Sequence, residues 1–432
     1  MANHLPHRRR FLTSLTTLAG GLTLPQLLAW RASAKEAGTE THTAVIFLML
    51  GGGPAQHETY DPKPDAPSEY RGPQQPIRSS VPGVWLCDLM PRQAAIMDKL
   101  CIVRSMQHRE ASHIALHMVE SGYFLRNVAN ARRGEMPSVG SIVARCRSGG
   151  SADIPKYVSL PRAQAYSSAS FIGAQYDAFN VDGDPNLPDF SLSNLAPAKG
   201  LTSDRLTQRH NLLSSLRRAQ SFPDPQQVAE PIDHFAQQAV DLLLGSRAQA
   251  AFDLSREKES VRDAYGRSGV GQRLLLARRL VEADVPFVMV RTFDWDDHAN
   301  LAAGMRQRCP AFDQAVATLV TDLCDRGLNQ RVLVVAMGEF GRTPRVNANG
   351  GRDHWPGAGS VLFAGGRYRM GQVIGATDSK GGVVTEAPYG PQSVLHMVYA
   401  HLGIDSSQTF PDHTGRPRYI LEEREPIREM IA

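Results

Sequence analysis

Residues 44–50, AVIFLML, form an unbroken apolar run that stops at Gly51-Gly52-Gly53-Pro54. A run of that length with no polar alternation predicts a strand buried on both faces, followed by a tight loop. The same pattern recurs at 285–291 (VPFVMVR) and 331–337 (RVLVVAM), and shorter runs predict strands at 100–104, 157–160 and 360–364. Helical periodicity predicts helices over 93–100, 111–121 (ending at Gly122), 203–219, 236–244, 271–283, 311–326 (ending at Gly327) and 391–402 (ending at Gly403). Strand, helix and strand over 285–337 make a βαβ unit. The predicted fold class is therefore α/β, a three-layer α/β/α sandwich around a mainly parallel sheet.

Two stretches break the pattern. Residues 61–83 hold six prolines and predict an extended surface excursion. Residues 162–235 are rich in Ser, Asn, Asp and Pro and predict an irregular insertion within a single domain of residues 35–432.

Charge adds a feature at the head. The chain has 47 Lys+Arg and 43 Asp+Glu, a net of +4. The first 34 residues carry Arg8, Arg9, Arg10 and Arg31 and no acid, so the rest balances at 43 against 43. An even balance argues against a nucleic-acid surface. Arg8-Arg9-Arg10-Phe11-Leu12, a weakly apolar stretch and Ala32-Ser33-Ala34 predict a cleaved twin-arginine signal over 1–34. The expected location is periplasmic or secreted, with no stable membrane insertion once the signal is removed. Five cysteines without C-x-x-C exclude a zinc ribbon and leave at least one thiol free, with room for one bridge.

In a sheet of this class ligands gather beyond the carboxyl ends of the strands. Acids and histidines stand there repeatedly. Asp294 and His298 are an oxygen donor and an imidazole four residues apart; they read either as metal ligands or as a solvated acidic turn with Asp296 and Asp297. Asp353-His354 follows Gly350-Gly351 and reads as a ligand pair or as a surface turn. Glu339, directly after its strand, reads as a third oxygen ligand, a base, or an ion-pair partner of Arg342 or Arg345. His113 and His117 fall on one face if 111–121 is helical. Ser112 is either a nucleophile near a helix N-terminus or its cap. Arg342 is a candidate fork for an anionic oxygen. Gly51-Gly52-Gly53 lacks the pattern and the lysine of nucleotide-binding loops.

The strings LMLGGGPAQHETYDPKPDAP, GEFGRTP, GGRDHWP and FPDHTGRP resemble the domain of unknown function 1501 family, within the alkaline phosphatase-like superfamily. The likeness runs over about residues 44–425. It implies an alkaline phosphatase-like sandwich that hydrolyses phosphate or sulfate esters, with one or two divalent ions at the strand ends. Zinc is the first expectation; manganese, magnesium and calcium are alternatives. The implied metal residues are Asp294, His298, Glu339, Asp353 and His354, with Ser112, His113, His117 and Arg342 as implied catalytic groups. The implied substrate is a small-molecule or glycan ester. The sequence departs from the superfamily at Gly52, where phosphatases carry Asp, at Glu58, where relatives carry Asp, and in lacking a C/S-x-P-x-R string. A non-catalytic binding protein that retains the fold is the alternative reading.

Overall fold

The run at 44–50 is strand β1 (Ala44–Leu50), and all seven of its residues are buried. Two cores explain why none of them is polar. Ala44, Ile46, Leu48 and Leu50 point into one; Val45, Phe47 and Met49 point into the other. A strand with helices on both faces needs apolar side chains at every position.

This computed structural model describes residues 42–126, 134–148, 153–187, 190, 205, 208, 212, 215 and 245–431. The predicted signal at 1–34 lies outside them, as do the helical reading at 236–244, that at 203–219 apart from positions 205, 208, 212 and 215, and most of the insertion at 162–235 beyond 187. The remaining strands of the main sheet are β2 (Leu100–Met106), β3 (Tyr157–Leu160), β4 (Phe179–Asn180), β5 (Phe287–Thr292), β6 (Val332–Met337), β7 (Gly359–Gly365) and β8 (Gln372–Ile374). Their order across the sheet is β8-β2-β7-β6-β1-β5-β3-β4. Only β7 runs against its neighbours. The sheet is thus mixed and mostly parallel.

Helices α1 (Ala115–Ser121), α2 (Val139–Cys146) and α5 (Pro391–His401) cover one face. Helices α3 (Gly269–Glu282) and α4 (Leu301–Asp325) cover the other. This is the expected α/β/α sandwich. Helix α4 starts ten residues earlier than its periodicity predicts, with Pro310 inside it. Leu301, Met305, Cys309 and Phe312 are all buried along that extension, and their burial outweighs a proline penalty of about 3 kcal/mol. Helix α1 starts later than expected, at Ala115, and ends where Gly122 turns left-handed at φ 81°. All five cysteines are free thiols. No helix among the described residues is long and apolar enough to cross a membrane.

The register brings the working ends together. Leu50 lies opposite Thr292, Met49 opposite Met337, and Gly359 opposite Met106. The carboxyl ends of β1, β2, β5 and β6 therefore share one edge with the start of the reversed β7.

Candidate metal centre

The loop after β1 fixes the floor of this edge. Gly52 has φ +105° and Gly53 φ +80°, a region that side-chain-bearing residues avoid. A Cβ on Gly52 would stand 2.6 Å from the Asp296 nitrogen, and one on Gly53 would stand 2.5 Å from the Phe340 ring. Glycine here lets the loops after β1, β5 and β6 close on one another. The Gly52 N–H donates to Glu339 Oε1 at 2.9 Å and Oε2 at 3.1 Å.

Beyond β5, Trp295 is buried and anchored. Its Nε1–H donates to Thr292 Oγ1 at 2.9 Å, its backbone N–H donates to Gly51 O at 3.2 Å, and its ring meets Phe312 edge-on at 5.3 Å. The next residue, Asp296, turns its carboxylate to the centre. Asp296 Oδ1 lies 3.1 Å from both His298 Nε2 and His354 Nε2, and Oδ2 lies 3.3 Å from His113 Nε2. His113, Asp296 and His354 each offer a ligand atom within 4.8 Å of the other two.

The outer nitrogens of the three rings are all engaged. His113 Nδ1 faces Glu339 Oε1 at 2.8 Å, His298 Nδ1 faces Asp353 Oδ1 at 2.8 Å, and His354 Nδ1 faces Ala111 O at 2.7 Å. Each partner is an acceptor, so with an ion in the centre each Nδ1 would carry the proton and each Nε2 would turn its lone pair inward. His298 Nε2 and His354 Nε2 are only 3.1 Å apart. At that distance a proton or a cation must lie between the two nitrogens. Donors around a tetrahedral zinc with bonds of about 2.0–2.1 Å are spaced at about 3.3 Å; the contacts of Asp296 with the three rings, and of His298 with His354, are 3.1–3.3 Å.

Partial burial would raise the Asp296 carboxyl, but hydrogen bonds from Arg342 and His354 outweigh it and bring it down to about 2. The hydrogen bond to Glu339 raises His113. Phe340 stacks on His354 with centroids 4.2 Å apart and lies 5.5 Å from His113, packing both rings from below.

The other predicted residues fall elsewhere. Asp294 is exposed, and its charge acts on Arg273 and Arg308. It is Asp296 that turns its carboxylate toward the three histidines. His117 is buried in α1, with Nδ1 on Tyr123 O at 2.9 Å and Nε2 accepting from the Glu135 and Met136 N–H groups. Burial lowers its pKa. It does not join His113, because helix α1 begins only at Ala115 and the four-residue spacing spans a turn. Glu339 and Asp353 reach His113 and His298 from behind. Ser112 caps no helix; its hydroxyl donates to Glu110 Oε1 at 2.7 Å.

Arg342 is buried, not open to an incoming anion. Its Nε–H donates to Gly53 O at 2.9 Å, its Nη1 to Arg352 O at 2.9 Å, and its Nη2 to Trp295 O at 3.2 Å, to Gly52 O and to Asp296 Oδ1. Glu58 likewise faces away. Fully buried, it pairs with Arg352 at 2.7 Å and ties the 51–62 loop to the hairpin that carries His354. Asp296 and Phe340 were not selected from the sequence. The buried Trp295 beside Asp296, and the aromatic inside Gly338-Glu339-Phe340-Gly341, were the available signals.

A family model described as a protein of unknown function (DUF1501) matches residues 42–431. No curated protein matches the chain. Among solved structures the chain is similar to the lipoteichoic acid synthase LtaP from Listeria monocytogenes, at 10% identity over 85% of this chain and 74% of that one, TM-score 0.39. It is similar to the PsFucS1 sulfatase from Pseudoalteromonas sp., at 10% identity over 88% and 72%, TM-score 0.39. It is also similar to alkaline phosphatase from the Antarctic bacterium TAB5, at 12% identity over 84% and 98%, TM-score 0.35.

Proposed function

The chain belongs to the DUF1501 family of proteins of unknown function, and from that premise and the geometry of the centre we propose that it is a metal-dependent hydrolase of phosphate or sulfate esters. The observation that carries the reading is the inward convergence of three imidazole Nε2 atoms on Asp296, each ring fixed by an acceptor on its Nδ1. His113, Asp296 and His354 would hold the ion, with His298 as the adjoining donor. Mixed nitrogen and oxygen donors suit zinc, then manganese, better than magnesium or calcium. A divalent ion held there would supply polarisation of an ester oxygen and a lowered pKa for water.

The chain's own residues supply orientation. Glu339 and Asp353 keep the protons of His113 and His298 on the outer nitrogens, and Arg342 keeps the Asp296 carboxylate charged and in place. The side chains of His113 and His298 are each 47% exposed, which leaves the centre open to an ester from solvent. The attacking oxygen comes from water or from Ser112, whose hydroxyl already donates to Glu110. With the arginine-rich head at 1–34 read as an export signal, the substrate is a small-molecule or glycan ester outside the cytoplasm.

The test is metal content together with a panel of phosphate monoesters, phosphate diesters and sulfate esters. The expected result is turnover that a chelator abolishes and Zn2+ restores, and that Asp296→Asn and His354→Ala lose. Less than about 0.2 ion per chain after reconstitution would overturn the reading, since chemistry of this kind requires the ion.

A further inference from the structure

We infer that this centre takes one ion, and that the Arg342 guanidinium stands as a fixed cation where a second ion would have to bind. The inference rests on the metal reading above and adds its stoichiometry.

A carboxylate that bridges two ions must offer one oxygen to each. In Asp296 one of the two is already committed to a permanent cation: Oδ1 pairs with Arg342, while Oδ2 faces His113. At Oδ1 the guanidinium is seated, 1% exposed and held by the carbonyls of Gly52, Gly53, Trp295 and Arg352. Those carbonyls come from three separate loops. A planar five-donor fork can satisfy them together, and a hydrated ion of similar size cannot.

The neighbouring acids are engaged elsewhere. Glu339 serves Gly52 and His113, Asp353 serves His298, Asp297 pairs with Arg308, and Glu58 pairs with Arg352. Asp294 acts on Arg273 and Arg308. Position 52 cannot supply a ligand, because any Cβ there would meet the Asp296 backbone at 2.6 Å. Among the described residues the donors that converge are His113, Asp296 and His354, with His298 adjoining. Three protein ligands and an open position make the set of a single catalytic ion. Arg342 is then a positioning residue: it touches Asp296, not the substrate.

The experiment measures ions per chain on the whole protein after loading with excess Zn2+ and desalting, and records the visible spectrum after Co2+ loading. About one ion per chain, with the intense absorption of low-coordinate cobalt, is expected. About two ions per chain would overturn the single-ion inference and leave the metal reading intact; below about 0.2 would overturn the metal reading itself. Arg342→Met tests the fixed cation. It is expected to shift the cobalt spectrum and to weaken Zn2+ by about tenfold or more, as losses of ligand-orienting partners do, with Arg342→Lys recovering part of the loss. An unchanged cobalt spectrum and Zn2+ affinity in Arg342→Met would overturn the role given to Arg342. If Arg342→Met does not fold, Arg342→Lys is read the same way: wild-type spectrum and affinity there would overturn the need for the planar fork.

Discussion

Glu339→Gln is the most informative single change at the centre. Glu339 Oε1 accepts from both His113 Nδ1 at 2.8 Å and the Gly52 N–H at 2.9 Å, while Oε2 lies 3.1 Å from the same Gly52 nitrogen. Glutamine can keep its oxygen in the Oε1 position and retain both hydrogen bonds. What changes is the negative charge behind His113 and an amide group now facing the Gly52 N–H. The charge makes the His113 ring a stronger donor to a cation, and loss of such a partner weakens metal affinity by about 10–100-fold, or about 1.4–2.8 kcal/mol. The assay is a chelator competition for Zn2+ at neutral pH on wild type and variant, with the thermal midpoint of the metal-free proteins measured alongside. A dissociation constant within twofold of wild type would refute the claim that Glu339 works through His113. A loss of midpoint without a loss of affinity would assign Glu339 to the Gly52 turn alone.

Two further outcomes follow from the fold. Gly52→Ala combines backbone strain of about 1–3 kcal/mol with overpacking of about 1–3 kcal/mol. Gly83→Ala shares a positive φ but meets nothing within 4 Å, so its thermal midpoint is expected to fall much less. Equal losses in the two variants would remove the steric argument for the closed loop. His57 and His401 are buried, and burial pulls them down to about 3 and about 4. Their unfolded forms take up protons near pH 6.5, so the stability they contribute is complete above that pH and is lost as pH falls toward 3–4. Each costs at most about 1.4 kcal/mol per pH unit in that window. Denaturant unfolding at pH 7, 6 and 5 should show the decline, and His401→Gln should flatten it; identical slopes in the two proteins would refute the assignment.

The strands were legible because two-sided burial leaves a sequence no polar alternation, and β1, β3, β5, β6 and β7 fall within two residues of the apolar runs. The short β4 and β8, of two and three residues, carry too little pattern to be read. Strand direction was also hidden: nothing in the residues of β7 marks it as the reversed strand. At the site, His113, His298 and His354 were visible as donors after strands. That Asp296, not Asp294, faces those histidines was not, because spacing alone favours Asp294 while the anchored Trp295 sets the direction of the residue after it. Arg342 illustrates a second limit. An exposed arginine and a buried one look alike in sequence, and only the three carbonyl-bearing loops around Arg342 separate a substrate fork from a structural cation.

The hairpin that carries His354 has a consequence for how the molecule comes together. Its Nε2 meets a carboxylate 58 residues earlier, and His113 meets Glu339 across 226 residues. No local segment holds enough donors to bind an ion by itself. Contacts so distant along the chain require the loops between them to be closed. The centre is therefore a report on completed folding: a nascent or partly unfolded chain would have little grip on the ion, and capture of the ion would draw the population toward the finished state.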